Sequence, residues 1–253
     1  AEATLFHVDN LYDRWLRDLH DAQTMSGWCH VEYPESTDIC IDIIWPMHII
    51  IVPYALYQQS GDERILRRNI DCMERYAELL YSLSDHHLFA DNLFTYGDWV
   101  PIVPAERTFV GAAFYAHVTD LMAKAEARIG NTEKAKMYEA RFHDICNAIN
   151  LAHLHVSKDA VSYNNGSQSA STLALAFGIC PKEYEDRLFR ALASEIEQTK
   201  RITVGLFANA WLYRVLGDHG RNDLALRLLT DTSYTGASIP NMVNRLHNGT
   251  LNE

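Results

Sequence analysis

The chain has 253 residues, 48% apolar and 22% charged, with 12 Gly and 7 Pro, a composition that excludes disordered, collagen-like and linker-like chains. Its 22 Lys and Arg against 33 Asp and Glu give a net charge of −11; such a surface repels phosphate backbones and anionic lipid, arguing against nucleic acid and membrane partners. At this length about three quarters of the unfolded surface can be buried without disulfides or a structural metal, and no linker-like stretch divides the chain, so one domain over 1–253 is expected.

Helical periodicity dominates the chain. The spacing predicts a first helix over Leu11–Gln23 and a second over Pro46–Gln59, bent at Pro53 because an internal proline removes a backbone donor. From Asp62, placed as the cap, Ile65, Leu66, Ile70, Met73, Tyr76, Ala77 and Leu80 form an apolar stripe. Val110, Phe114, His117, Leu121 and Ala125 continue the pattern up to Gly130, and Ala135, Tyr138, Phe142, Ile145 and Ile149 carry the next helix, so Gly130 marks an antiparallel hairpin. His153–Val156 and Ala160–Tyr163 read as a short β-hairpin leading to the Asn164-Asn165-Gly166 turn. Helices follow over Pro181–Glu197, Thr203–Leu216 and Arg221–Thr230. The expected fold class is all-α, a toroid of helical hairpins of the (α/α)6 kind. No period is regular enough for a solenoid. A closed ring of six hairpins takes about twelve helices and the pattern supplies about nine, so the expected toroid is incomplete, truncated at both ends.

The apolar run Ile39–Val52 is broken by Asp42, Pro46 and His48 and is too short for a hydrocarbon slab of about 30 Å. The start, Ala1-Glu2-Ala3-Thr4-Leu5, lacks the basic and apolar regions of a secretory signal, which leaves export open. Cys29, Cys40, Cys72, Cys146 and Cys180 are odd in number and widely spaced, the pattern of buried free thiols in a reducing, cytoplasmic setting. Dinucleotide, phosphate-loop, serine-hydrolase and zincin motifs are all missing from the sequence. His153 and His155 share a strand face but lack a third ligand, so a solvated face is expected; His117 reads as a hydrogen-bonded core histidine and His86-His87 as a wet loop. The triplets at Asn165 and Asn248 fit a glycosylation sequon that chance often produces.

Aromatic and acidic residues gather in the breaks between helices: Trp28, Trp45, the tetrad Tyr96-Gly97-Asp98-Trp99, and Glu32, Glu35, Asp38 and Asp42. Taken singly, each tryptophan reads as packing and the acidic run as solvated. Sugar sites use ring faces for C–H surfaces and carboxylates for hydroxyls and proton transfer, so their shared loop location points to a carbohydrate rim.

An ordered series of motifs carries a family likeness: Trp15-Leu16-Arg17-Asp18-Leu19-x-Asp21-Ala22-Gln23, Val52-Pro53-Tyr54-Ala55-Leu56-Tyr57, Gly61-Asp62, Met73-x-x-Tyr76 and Gly97-Asp98-Trp99. It continues with the Gly166-Ser167-Gln168-Ser169-Ala170 turn, Thr203-x-Gly205 and Leu216-Gly217-Asp218-x-Gly220-Arg221-x-Asp223-Leu224-Ala225. The chain resembles the catalytic helical-barrel domain of the α-L-rhamnosidases of glycoside hydrolase family 78. That resemblance implies inverting hydrolysis of terminal α-L-rhamnose, with acid and base carboxyls roughly 6.5–9.5 Å apart, no cofactor and no metal. It makes Glu253, in Asn248-Gly249-Thr250-Leu251-Asn252-Glu253, the base, and Trp45, Asp98 and Trp99 the sugar contacts. Three departures stand out: the family's general acid lies upstream of every matched motif, Met47 occupies an aspartate position, and Asn252 replaces a tryptophan. Glu32, Glu35, Asp38 or Asp42 could substitute for the acid. The alternative is a catalytically inactive carbohydrate-binding or scaffold relative. An unclosed barrel would also expose apolar flanks, which a partner chain or self-association would cover.

Overall fold

A computed structural model of the chain describes residues 9–31 and 41–232. Among them are nine α-helices and one two-stranded antiparallel sheet: α1 (Asp9–Ala22), α2 (His48–Ser60), α3 (Glu63–Leu83), α4 (Arg107–Ile129), α5 (Thr132–His153), β1 (Leu154–Val156), β2 (Val161–Tyr163), α6 (Gln168–Ala176), α7 (Lys182–Thr199), α8 (Leu206–Asp218) and α9 (Asn222–Thr230). Residues group into two compact units. The first takes the described residues through Thr95 together with Phe114–Ala148; the second takes Tyr96–Ala113 and the described residues from Ile149 on.

In the first unit α1 packs on α2 and α2 on α3. Leu16, Leu19 and Leu56 form one buried cluster, flanked by Tyr12, Trp15, Val52 and Ile65. The α3 stripe does what its spacing predicts: Leu66, Ile70, Met73, Tyr76, Ala77 and Leu80 are buried, and the buried Tyr76 hydroxyl donates to the Ile43 carbonyl at 2.8 Å. Asp62 caps α3 by accepting from the Arg64 amide. A 3-10 turn, Trp45–Met47, precedes α2, which continues through Pro53. Buried His117 lies on the apolar stripe of α4.

In the second unit α6 packs on α7 and α8, α9 on α8, and α7 on β2. The β-hairpin pairs Leu154 with Tyr163, His155 with Ser162 and Val156 with Val161, the segment read from sequence. Two sequence expectations need correction. The Gly166–Ala170 stretch is not only a turn: Ser167 caps α6, which begins at Gln168. Thr203–Gly205 is not helical, because α8 begins only at Leu206.

Cys29, Cys72, Cys146 and Cys180 are buried and form no disulfide among the described residues; Cys40 lies outside them. Burial pushes the Cys146 thiol up to about 12 and the Cys180 thiol up to about 11, which keeps both as unreactive thiols. No helix among the described residues is long and apolar enough to cross a membrane.

Candidate functional site

The Gly97-Asp98-Trp99 loop lies in the second unit, and two distant segments hold it. The Asp98 carboxylate is 2% exposed and accepts three hydrogen bonds, from Ser169 Oγ at 2.5 Å, the Gly205 amide at 2.8 Å and the Ala208 amide at 3.1 Å. It thereby serves as the cap of α8, whose own leading residue Gly205 has no side chain to do so. The absence of a Cβ at Gly205 is itself required: one would sit 2.5 Å from the carbonyl oxygens of both Asp98 and Trp99. The Trp99 carbonyl accepts from the Leu206 amide at 2.8 Å, and the Thr203 carbonyl accepts from the amides of Ile102 and Val103, each at 3.1 Å.

The start of α6 completes the support. Gln168, 2% exposed, accepts from the Thr203 amide at 3.0 Å and donates to Glu195 Oε2 at 2.6 Å and the Arg201 carbonyl at 3.1 Å. Burial raises the Glu195 carboxyl above its usual range, against the Gln168 hydrogen bond. Asn165 donates to the Pro104 carbonyl at 2.7 Å, and Asn164 accepts from the Glu106 amide at 3.1 Å. What the loop presents outward is apolar. Trp99 is half-buried with Tyr96 edge-on at 4.6 Å, and Val100, Ile102, Val103 and Leu206 are exposed.

Trp45 belongs to the first unit, where neighbours close in sequence fix its backbone. Asp42, 0% exposed, accepts from the amides of Ile44 at 2.8 Å, Trp45 at 3.3 Å and Thr95 at 3.1 Å. His48 Nδ1 lies 2.6 Å from the Trp45 carbonyl oxygen; a carbonyl only accepts, so Nδ1 carries the proton. Burial pulls the His48 imidazole down to about 4 despite that bond, leaving it neutral near pH 7. The indole of Trp45 is half-buried.

The family model for the bacterial alpha-L-rhamnosidase 6 hairpin glycosidase domain matches residues 1–241. The chain belongs to that family. Among its relatives, an α-L-rhamnosidase of Formosa agariphila is 26% identical over 225 residues, covering 85% of this chain and 22% of the relative. One from Streptomyces avermitilis is 29% identical over 231 residues, covering 90% of this chain and 22% of that protein. A solved structure of Streptomyces avermitilis α-L-rhamnosidase complexed with L-rhamnose superposes with a TM-score of 0.86 at 26% identity, covering 94% of this chain and 23% of that one. The mostly helical architecture with its small sheet is thus that of the six-hairpin rhamnosidase domain, and the chain spans about a fifth of the relatives' length.

Within this rhamnosidase-type domain the sequence-derived site residues have separate fates. Asp98 and Trp99 share one loop, but the Asp98 oxygens are spent inside the protein. Trp45 stands in the other unit, and Glu253, like Glu32, Glu35 and Asp38, lies outside the described residues. Asp42 is no substitute acid, since three backbone amides occupy its buried carboxylate. Met47, which the resemblance sets against an aspartate, is 0% exposed and part of the core. Trp28 closes a turn in which its amide donates to Thr24 Oγ1 at 2.9 Å. Among the described residues no group of three or more His, Cys, Asp or Glu is arranged to hold a metal ion; His153, half-buried at the end of α5, packs against Phe109. The supporting residues Ser169, Gln168 and Gly205 sit in matched motifs, yet nothing local in those motifs reveals what they hold.

Proposed function

We propose that this domain binds terminal α-L-rhamnose and takes part in its inverting hydrolysis, with Trp45 and Trp99 as ring-face platforms and Glu253 as the base that activates water. Asp98 serves this site by bracing the Trp99 loop. The general acid, in this reading, is not among the residues of this chain. The observation that carries the proposal is the family match over residues 1–241 combined with the rigidly held Trp99 loop, whose apolar exposed surface suits the C–H face and methyl group of a deoxy-sugar. The relatives named above are α-L-rhamnosidases, and one is described in complex with L-rhamnose.

The test is release of aglycone from an aryl α-L-rhamnoside by the wild type and Glu253→Gln. Turnover that Glu253→Gln abolishes supports the assignment; turnover that it leaves unchanged refutes Glu253 as base. A second reading, a rhamnose-binding domain without turnover, is favoured by the buried Met47 at the aspartate position. Titration calorimetry distinguishes the two: rhamnose binding lost in Trp99→Ala, with no turnover by the wild type, supports the binding domain. An absence of both binding and turnover refutes both readings.

A further inference from the structure

Glu126, in the last turn of α4, is 0% exposed. Its Oε2 accepts from Asn131 Nδ2 at 2.7 Å, and its backbone carbonyl accepts from the Asn131 amide at 2.9 Å. That backbone bond is the six-to-one link that closes a helix over a left-handed residue, here Gly130 at φ +93°. Main chain and side chain of Glu126 therefore both hold the α4–α5 turn.

Its other oxygen, Oε1, is buried with no hydrogen-bond donor in reach, and the carboxyl group faces Glu74 of α3. Glu74 is ion-paired to Lys134 in the first turn of α5. The nearby ammonium is thus already paired with Glu74. Glu74 and Lys134 balance each other, so a charge on Glu126 would be buried, uncompensated and beside a like charge, which is costly in a site closed to water. A proton kept on Glu126 removes that charge and gives its carboxyl group a hydrogen to donate toward Glu74.

We infer that Glu74 and Glu126 share one proton and act as a pH-sensitive latch on the α4–α5 turn, tying α3, α4 and α5 together while the proton is present and releasing the turn when it leaves. Burial first, and then Glu74, push the Glu126 carboxyl up to about 7, against the Asn131 hydrogen bond. Burial would also raise Glu74, but the bond from Glu126 and the Lys134 ammonium outweigh it and hold Glu74 low. The groups facing the pair are Glu74 from α3, with Asp71 acting on Lys134, then Lys134 from α5 and Asn131 from the turn. The two carboxyls titrate as a unit.

The sign follows from proton counting. Glu126 is raised in the closed state, so the closed state binds more protons than the open one between the ordinary 4.5 and about 7, and opening becomes easier as pH rises through that window. The opening equilibrium should be about tenfold larger at pH 8 than at pH 6. This inference does not rest on the rhamnoside reading.

Amide hydrogen exchange of the full chain, corrected for the intrinsic base-catalysed rate, reads the opening directly in peptides spanning residues 127–134. Glu126→Gln is the matched control: its carbonyl still accepts from Asn131, its amide donates to Glu74, and it does not ionise. The expected result is a rise of about tenfold in opening for the wild type from pH 6 to pH 8, and little change for Glu126→Gln. A wild type without that rise, or a variant with the same rise, overturns the latch. Carboxyl-carbon NMR titration of the wild type keeps the question decidable if the variant folds poorly. A Glu126 midpoint near 7 supports the shared proton, and a midpoint in the ordinary carboxyl range refutes it.

Discussion

Replacing Asp98 by Ala removes a side chain that joins the Trp99 loop to both α6 and α8. It strands the Gly205 and Ala208 amides at the start of α8 and the Ser169 hydroxyl, all of which donate to a carboxylate that is 2% exposed. A hydrogen bond to a charged group contributes about 1.5–3 kcal/mol net, so three could exceed about 4 kcal/mol. Not burying the carboxylate recovers part of that, and loss of an ordinary helix cap alone costs about 0.5–2 kcal/mol. The expected net loss is about 3 kcal/mol, which for a chain of this size lowers Tm by roughly 6–12 °C. Ser169→Ala removes a single donor and should cost only about 1 kcal/mol. Scanning calorimetry measures both, and isothermal titration with rhamnose reports whether the Trp99 platform is lost along with the brace. Asp98→Ala melting within about 1 °C of the wild type would refute the reasoning, because no stranded amide could then be present.

Gly205→Ala places a Cβ 2.5 Å from two backbone oxygens and should cost about 3 kcal/mol, read as a lower urea midpoint; an unchanged midpoint refutes the close approach. His48 is held at about 4 by burial, so the folded state binds fewer protons than the unfolded one between about 6.5 and about 4, and stability falls as pH drops through that window. Urea melts at pH 7 and pH 4.5 should show that loss, up to about 3 kcal/mol when titration is complete. His48→Asn, which keeps a donor near the Trp45 carbonyl but no titrating ring, should lose less. Asp98 and Gln168 both grip the Thr203–Gly205 segment, so a double-mutant cycle of Asp98→Ala and Gln168→Ala should show coupling of at least about 0.5 kcal/mol, whereas additivity within about 0.3 kcal/mol denies a shared element.

Helices with an apolar stripe were legible in the sequence because their cause is local. The α3 residues from Leu66 to Leu80 repeat every three or four positions and are buried accordingly. The β-hairpin was legible for the same reason, from two short β-forming runs followed by the Asn164-Asn165-Gly166 turn signal. The start of α6 was not. Ser167, Gln168 and Ser169 read as a polar turn, yet all three are buried, since their partners come from far along the chain: Asp98 is 71 residues from Ser169 and Thr203 is 35 from Gln168. No periodicity window contains such pairs. The same blindness explains Asp98, a carboxylate that the family resemblance assigns to a ligand and that the fold turns inward to a helix terminus 107 residues away.

The two candidate platforms are therefore fixed by different physical means. The Trp45 backbone bonds to residues three positions away on either side, Asp42 and His48, so that part of its geometry is written into a short stretch of chain. Trp99 depends on Asp98, Ser169, Gln168, Thr203 and Gly205, assembled only when the second unit has folded. Buried polar groups like these are a poor source of net stability beside apolar packing of equal volume, and their concentration around one loop is better understood as geometric specification. Val100, next to Trp99, shows what that specification sustains: a β-branched residue at φ +52°, a conformation that costs about 1–3 kcal/mol and persists only where the surroundings over-determine it. Removing any one brace should relax that strained residue first, so the Trp99 loop is where damage to the network will appear before the helices themselves give way.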